Sequence, residues 1–226
     1  MNKYSIIIPI HNEKRYIPTL LKELKFYLDK GHQVIIIDDG SDDGSTDILK
    51  GYNDIKLILF TSNKGKGHAL RSGIKEAVND RIVIYDGDME LNPSDILKLM
   101  ILDKNSGIKS VMGYRFKVFN PFKSSFNWGN FMFTNFFNIL FKSSHRDILC
   151  CAKAFYAQDI KNYSIKSKGF DIDVELSSIL TIMNKKGLIP QVAINYSRRN
   201  FQEGKKLKVF DGWKILWRMI KMIKFL

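Results

Sequence analysis

The chain is short of cysteine, of acidic charge and of long apolar runs, and each shortage excludes something. Its 226 residues include only 2 cysteines, the neighbours Cys150 and Cys151. A bridge between adjacent cysteines is strained, so the pair reads as two free thiols in a reducing compartment, with no disulfide framework. Nowhere do about 18 apolar residues follow one another, so no membrane-spanning helix is expected. The N-terminus enters a strand pattern at once, without a basic stretch or cleavage site, and no secretory leader is expected. Acids are outnumbered: 36 Lys and Arg face 23 Asp and Glu, a formal net charge of +13. The surface this protein meets is therefore anionic, whether nucleic acid, phospholipid or a phosphorylated substrate. With 45% hydrophobic residues and no stretch resembling a flexible linker, the chain reads as one sizeable α/β unit.

What is present is an alternation. "YSIIIPI" (4–10) is a β-branched apolar run suited to a strand buried on both faces. Ile17, Leu20, Leu21, Leu24 and Leu28 then keep helical spacing, and Gly31 follows the helix end. "QVIIIDD" (33–39), "IKLILF" (55–60) and "RIVIYD" (81–86) repeat the strand signal, with helical stretches near 45–50 and 66–78 between them. This order predicts a Rossmann-like, mostly parallel central sheet with helices on its faces. Three strands end in polar residues: His11-Asn12-Glu13, Asp38-Asp39 and Asp86-Gly87-Asp88. Ligands of open α/β sheets bind outside the carboxyl ends of the strands, so the three clusters form one expected site.

The stretch "VIYDGDMELNP" (83–93) carries the clearest chemistry. Asp86 and Asp88, flanking the small Gly87, suit a hard divalent cation such as Mg²⁺ or Mn²⁺, with Glu90 as a third ligand or behind them. Asn92 as a cap, Pro93 and Asp95 start a helix that steadies the loop. The alternative is a solvated acidic turn. "DDGSDDGSTD" (38–47) is turn-forming and is not a calcium loop, because counting from Asp39 the twelfth position is Lys50. "NKGKGHALRSG" (63–73) fits neither glycine-rich nucleotide fingerprint, but it is a basic turn opening a helix, and its amides with Lys64, Lys66 and Arg71 suit a diphosphate. The 4 histidines lack metal-ligand spacing and receive no catalytic role.

Two apolar helices are predicted further on. In "FNWGNFMFTNFFNILF" (126–141), Asn127, Asn130, Thr134 and Asn138 form one polar stripe on an otherwise aromatic and aliphatic surface. It would reach roughly 24 Å, short of the roughly 30 Å bilayer core, so it suits an interface rather than a crossing. "WKILWRMIKMIKFL" (213–226) places Lys214, Arg218 and Lys221 on one side and Leu216, Met219, Ile220 and Ile223 on another, between Trp213 and Trp217. Basic amphipathic helices of this kind bind anionic bilayer surfaces; capping the core or making a dimer is the alternative.

Taken together, "SIIIPIHNE", "VIIIDDGSDDGST", "NKGKGHALRSGI" and "VIYDGDMELNP" resemble the family 2 glycosyltransferases of the GT-A fold, above all the dolichyl- or polyprenyl-phosphate glucosyl- and mannosyltransferases. "GYRF" (113–116), "RDILCCAKAF" (146–155), "GFDIDVELS" (169–177) and "INYSRRNFQEGKKL" (194–207) extend the likeness over nearly the whole chain. Two departures stand out: Cys-Cys-Ala replaces a Cys-Gly-Phe type sequence, and Gly87 and Glu90 stand where Ala and Gln are common. With the amphipathic pattern marking 209–226 as a membrane-surface helix, the resemblance implies a GT-A domain over residues 1–208. It places Pro9, Asn12 and Glu13 beside the nucleotide, Asp39 at the base, and Lys64, Gly65 and Gly67 along nucleotide or sugar. Asp86, Gly87 and Asp88 hold the metal and donor diphosphate with Glu90, and Arg115 approaches phosphate. Asp173 and Glu175 lie at the acceptor side, while Arg198, Lys205 and Lys206 close over the anions.

The implied reaction is inverting transfer of a hexose from UDP-glucose, or alternatively GDP-mannose, to polyprenyl or dolichyl phosphate by a peripheral protein on the cytoplasmic membrane face. Such an acceptor is already an anion, so a base is less critical; with a sugar hydroxyl as acceptor, Asp173 becomes the general base. Nucleic acid is the remaining anionic partner. It fits poorly, because the aromatics concentrate in apolar helices and the strand ends are acidic.

Overall fold

The computed structural model describes residues 2–116, 120–184, 189–199 and 211–225. Its first half alternates as the apolar runs require: β1 (Ser5–Ile10), α1 (Ile17–Asp29), β2 (Gln33–Asp38), α2 (Ser45–Lys50), β3 (Lys56–Leu59), α3 (Lys66–Lys75) and β4 (Arg81–Ile84). A turn of 3-10 helix, Pro93–Asp95, leads into α4 (Ile96–Leu99), followed by β5 (Ser110–Tyr114), α5 (Ser125–Phe141), β6 (Lys153–Tyr156), α6 (Ala157–Ile160), α7 (Ile172–Met183), β7 (Gln191–Ala193) and α8 (Asp211–Met222). The strands form one seven-stranded sheet in the order β3-β2-β1-β4-β6-β5-β7. Strands β1 to β4 run parallel, β5 pairs parallel with β7, and β6 is antiparallel to both its neighbours.

Burial on both faces explains why the strand sequences are continuously apolar. Successive residues of β1 divide between two cores: Ile6 and Ile8 meet α1 through Leu20 and Leu24, while Ile7 faces Ala69 and Leu70 of α3 and the apolar side of α7. Each such buried side chain contributes about 1.5–3 kcal/mol. Helix α1 buries Ile17, Leu20, Leu21 and Leu24 as the spacing predicts, but Tyr27 rather than Leu28 completes the stripe. Its hydroxyl donates to the Pro93 carbonyl at 2.8 Å, tying α1 to the turn after β4.

The second half shows which way the two apolar helices face. On α5 the polar stripe faces inward: Asn127, Asn130 and Thr134 are buried, whereas Trp128, Met132, Phe136 and Ile139 are exposed, Ile139 to 76%. On α8 the buried face is Ile215, Met219 and Met222, so of the apolar side read from the sequence Met219 turns inward. Ile220 lies exposed with Trp213 and Trp217. Arg218 also leaves the expected basic side, pairing with Asp171 at 3.0 Å, because two carboxylates of the α7 region lie beneath it. Among the described residues no helix is long and apolar enough to cross a membrane.

Below the end of α5, His145 is buried with its Nε2 2.8 Å from the Thr181 hydroxyl. Burial, helped by the Lys153 charge, pushes its pKa down from the usual 6.5 to about 4. The unfolded chain therefore binds this proton first, and the stabilisation by neutral His145 is complete above about pH 6.5 and is lost as pH falls towards 4. Between pH 7 and 4.5 the wild type should lose about 2–3 kcal/mol more than His145→Leu, measured by urea unfolding at both pH values. Parallel losses in the two proteins would refute this.

Candidate active site

The carboxyl ends of β1, β2 and β4 open into one cavity of about 510 Å³. Pro9 and Glu13 come from the β1 end, Asp39 from β2, and Asp86, Gly87, Asp88 and Glu90 from β4. The predicted convergence is thus present in the geometry. Gly65 and Lys66 form one rim, Asp173 at the start of α7 another, and Arg115, Arg198 and Arg199 a basic wall.

The floor is made by local hydrogen bonding. Asp39 accepts from the amides of Lys64 at 2.7 Å and Gly65 at 2.8 Å, so it fixes the basic turn. Asn12 (φ 53°) donates through Nδ2 to Asp42 at 2.7 Å and braces the loop after β2. The segment after β7 is zipped onto the acidic loop. Asn92 N donates to Asn195 O at 3.1 Å, Ser197 N to Glu90 O at 2.8 Å, and Arg199 N to Glu90 Oε1 at 3.0 Å.

Each aspartate of the pair has its own built-in cation. Lys66 Nζ lies 2.9 Å from Asp86 Oδ1 and 3.0 Å from Asp173 Oδ2, bridging β4 to α7. Arg199 grips Glu13 in a two-pronged pair at 2.7 and 3.2 Å and reaches Asp88 Oδ2 at 3.3 Å. The charges are unequally served. Burial works against ionised Asp86, but Lys66 outweighs it and holds the carboxyl below its usual range. Burial and the Asp86 charge push Asp88 up to about 7, against the pull of Arg199. Asp173 is also raised, chiefly by burial, and its Oδ1 has no hydrogen-bond partner among the described residues. Lys66 is held well above its usual value: burial opposes this, but Asp173 and Asp86 prevail.

Several expected residues stand elsewhere. Glu175 is buried away from the cavity, accepting from the amides of Lys166 and Ser167 at 3.0 and 2.7 Å, because it caps the loop before α7. Asn12, Lys64 and Gly67 support the rim without lining it; Gly67 N donates to Lys168 O at 2.8 Å. Arg198, by contrast, does line the cavity, and it donates through Nη1 to Ser124 Oγ at 2.7 Å. Lys205 and Lys206 lie outside the described residues. The sequence signals understate Lys66 and miss Arg199, and they leave out His11, which does line the cavity.

Gly87 has a packing reason. A Cβ there would stand 2.5 Å from Ile10 Cγ2 and 2.9 Å from Ile8 Cγ2, both fixed close to strand backbone. Gly87→Ala should therefore destabilise the fold by about 1–3 kcal/mol, read as a lower urea midpoint; an unchanged midpoint would mean that β1 yields.

Residues 5–163 match the family model of Glycosyl transferase family 2. The chain belongs to this family. Among the relatives of this glycosyltransferase are the undecaprenyl-phosphate 4-deoxy-4-formamido-L-arabinose transferases of Aeromonas hydrophila, 33% identical over 104 residues, and Proteus mirabilis, 31% over 109 residues. The first alignment covers 42% of this chain and 32% of the Aeromonas protein, the second 44% and 33%. The chain thus spans about a third of the length of these curated relatives. Among solved structures, glucosyl-3-phosphoglycerate synthase from Mycobacterium tuberculosis superposes with a TM-score of 0.76 at 16% identity, covering 99% of this chain and 81% of that one. Its complex with Mn²⁺, UDP-glucose and phosphoglyceric acid gives 0.74 at 16% identity, covering 99% and 80%. The fold of this glycosyltransferase is the GT-A fold.

Proposed function

We propose that this glycosyltransferase moves a hexose, glucose first and mannose as the alternative, from a nucleoside diphosphate sugar to a polyprenyl phosphate at the cytoplasmic face of a membrane. The observation that carries the reading is the polarity of the cavity. Asp86 and Asp88 make its acidic side with Arg199 paired to Asp88, Arg115 and Arg198 line it as further cations, and beside these runs α5 with its aromatic face exposed. Two anionic substrates and an apolar tail are what such a cavity suits. Residues 1–208 form the catalytic unit in this reading. The segment 209–226 serves as the membrane-surface element through α8 and the turn after it, where Lys214, Lys221 and Lys224 accompany exposed Trp213, Trp217 and Phe225.

The donor set fits a hard cation. Among the described residues no cluster of three or more metal-binding side chains stands ready. Mg²⁺ or Mn²⁺, however, commonly takes one or two carboxylates and completes its shell with substrate phosphates. The crowding that raises Asp88 beside Asp86 is what an added positive charge relieves. Asp86 and Asp88 would hold the ion, with Glu90 beside them; bound there, it would stabilise negative charge growing on the leaving diphosphate. The side chains supply the rest. Lys66 and Arg199 bring cations to the same end, and Pro9, Glu13 and Asp39 shape the nucleotide side. Arg115 and Arg198 orient the acceptor phosphate, whose oxygen attacks the anomeric carbon as the bond to the diphosphate breaks on the opposite face, inverting it.

A second reading has its own observation. The unpartnered Oδ1 of Asp173, raised in pKa and lining the cavity, suits a general base for a sugar hydroxyl acceptor. Transfer of radiolabelled sugar from UDP-glucose and GDP-mannose to a short polyprenyl phosphate, with Mn²⁺ or Mg²⁺ and with chelator, separates the two. Metal-dependent labelled lipid supports the first reading. Donor binding without labelled lipid moves the acceptor to a hydroxyl.

A further inference from the structure

The inward polar stripe of α5 needs a reason. Packing apolar residues there would be simpler, since buried amides and hydroxyls cost free energy unless each finds a partner. These do find partners. Asn127 Nδ2 donates to Asn120 O at 3.0 Å, Thr134 Oγ1 to Asn130 Oδ1 at 2.9 Å, and Asn130 Nδ2 to Asp147 Oδ1 at 2.9 Å.

Asp147 is the unexpected member. Its side chain is 0% exposed, and besides Asn130 it accepts from Arg115 N at 3.2 Å, Nε at 2.8 Å and Nη2 at 2.9 Å. A fold that needed only stability would gain as much from apolar groups in this place. What the arrangement does provide is direction: the two-pronged carboxylate fixes the plane of the guanidinium, which a lone arginine would not keep. Arg115 lines the cavity, and its Cζ lies 5.5 Å from the ring centroids of both Phe116 and Tyr196. The chain Thr134, Asn130, Asp147, Arg115 thus runs from the middle of α5 to the end of β5.

We propose that Asp147 and Asn130, backed by Thr134, are positioning residues for Arg115, so that α5 sets where the acceptor phosphate is held. This rests on the acceptor reading above. Asp147 and Thr134 do not line the cavity, so they act through Arg115 rather than on substrate.

The test compares wild type, Asp147→Asn and Thr134→Val with farnesyl phosphate as acceptor and the productive donor, reading the two KM values and kcat separately. Loss of a charge-assisted pair should raise the acceptor KM of Asp147→Asn about tenfold or more, with the donor KM within about twofold. Thr134→Val, isosteric and outside the cavity lining, should move the acceptor KM the same way by about threefold, which preserves the test if Asp147→Asn does not fold. Acceptor KM unchanged in folded variants, or both KM values rising together, would overturn the proposal. If the wild type transfers nothing to farnesyl phosphate, the acceptor reading itself falls and takes this inference with it.

Discussion

Asp88→Ala should lower sugar transfer by about 10³-fold, because it removes half of the carboxylate pair proposed to hold the cation, whose charge stabilisation is worth several kcal/mol. The variant should nevertheless keep its fold. Asp88 is the carboxyl that burial and the Asp86 charge push up to about 7, so its removal relieves crowding. Arg199 retains the two-pronged grip of Glu13. Labelled product, Mn²⁺ binding by calorimetry in the presence of UDP, and a melting curve separate these effects. Transfer within tenfold of wild type, equally insensitive to chelator, would remove the metal from the mechanism.

Lys66→Met acts on stability first. It strands Asp86 and Asp173, whose only shared cation among the described residues is the Lys66 ammonium. Breaking a buried pair typically costs 3–5 kcal/mol; with Asp86 still 26% exposed, about 3 kcal/mol is expected, a melting temperature roughly 8 °C lower for a chain of this size. A divalent cation with nucleotide should restore part of the loss, since it supplies positive charge at Asp86. An unchanged melting temperature would show that the two carboxylates do not depend on Lys66. A loss that Mn²⁺ and UDP leave untouched would separate Lys66 from the metal site.

The central four strands and the meeting of their ends are legible in the sequence because strands buried on both faces leave unbroken β-branched runs, and polar residues stop those runs at the cavity. The later strands are not. In β6 the fully buried Lys153 interrupts the apolar signal, and β7 is only three residues long. Periodicity showed the stripe of α5 but not its direction, since a pattern of two unlike faces does not say which one meets the protein. The answer lay with Asp147 and Asn120, partners outside the helix. Glu175 and Arg199 failed for the same reason in opposite senses. Glu175 is occupied by amides of the preceding loop, and Arg199 owes its place to Glu13, 186 residues away in sequence.

That last distance also dictates an order of assembly. Strands β1 to β4 can pair while the rest of the chain is still being made, which leaves the acidic loop after β4 without its guanidinium. The zipper of Asn195, Ser197 and Arg199 onto residues 88–92 forms only when that part of the chain has emerged from the ribosome. The cavity is therefore among the last parts of the molecule to mature, and a growing chain carries β1 to β4 well before it carries Arg199.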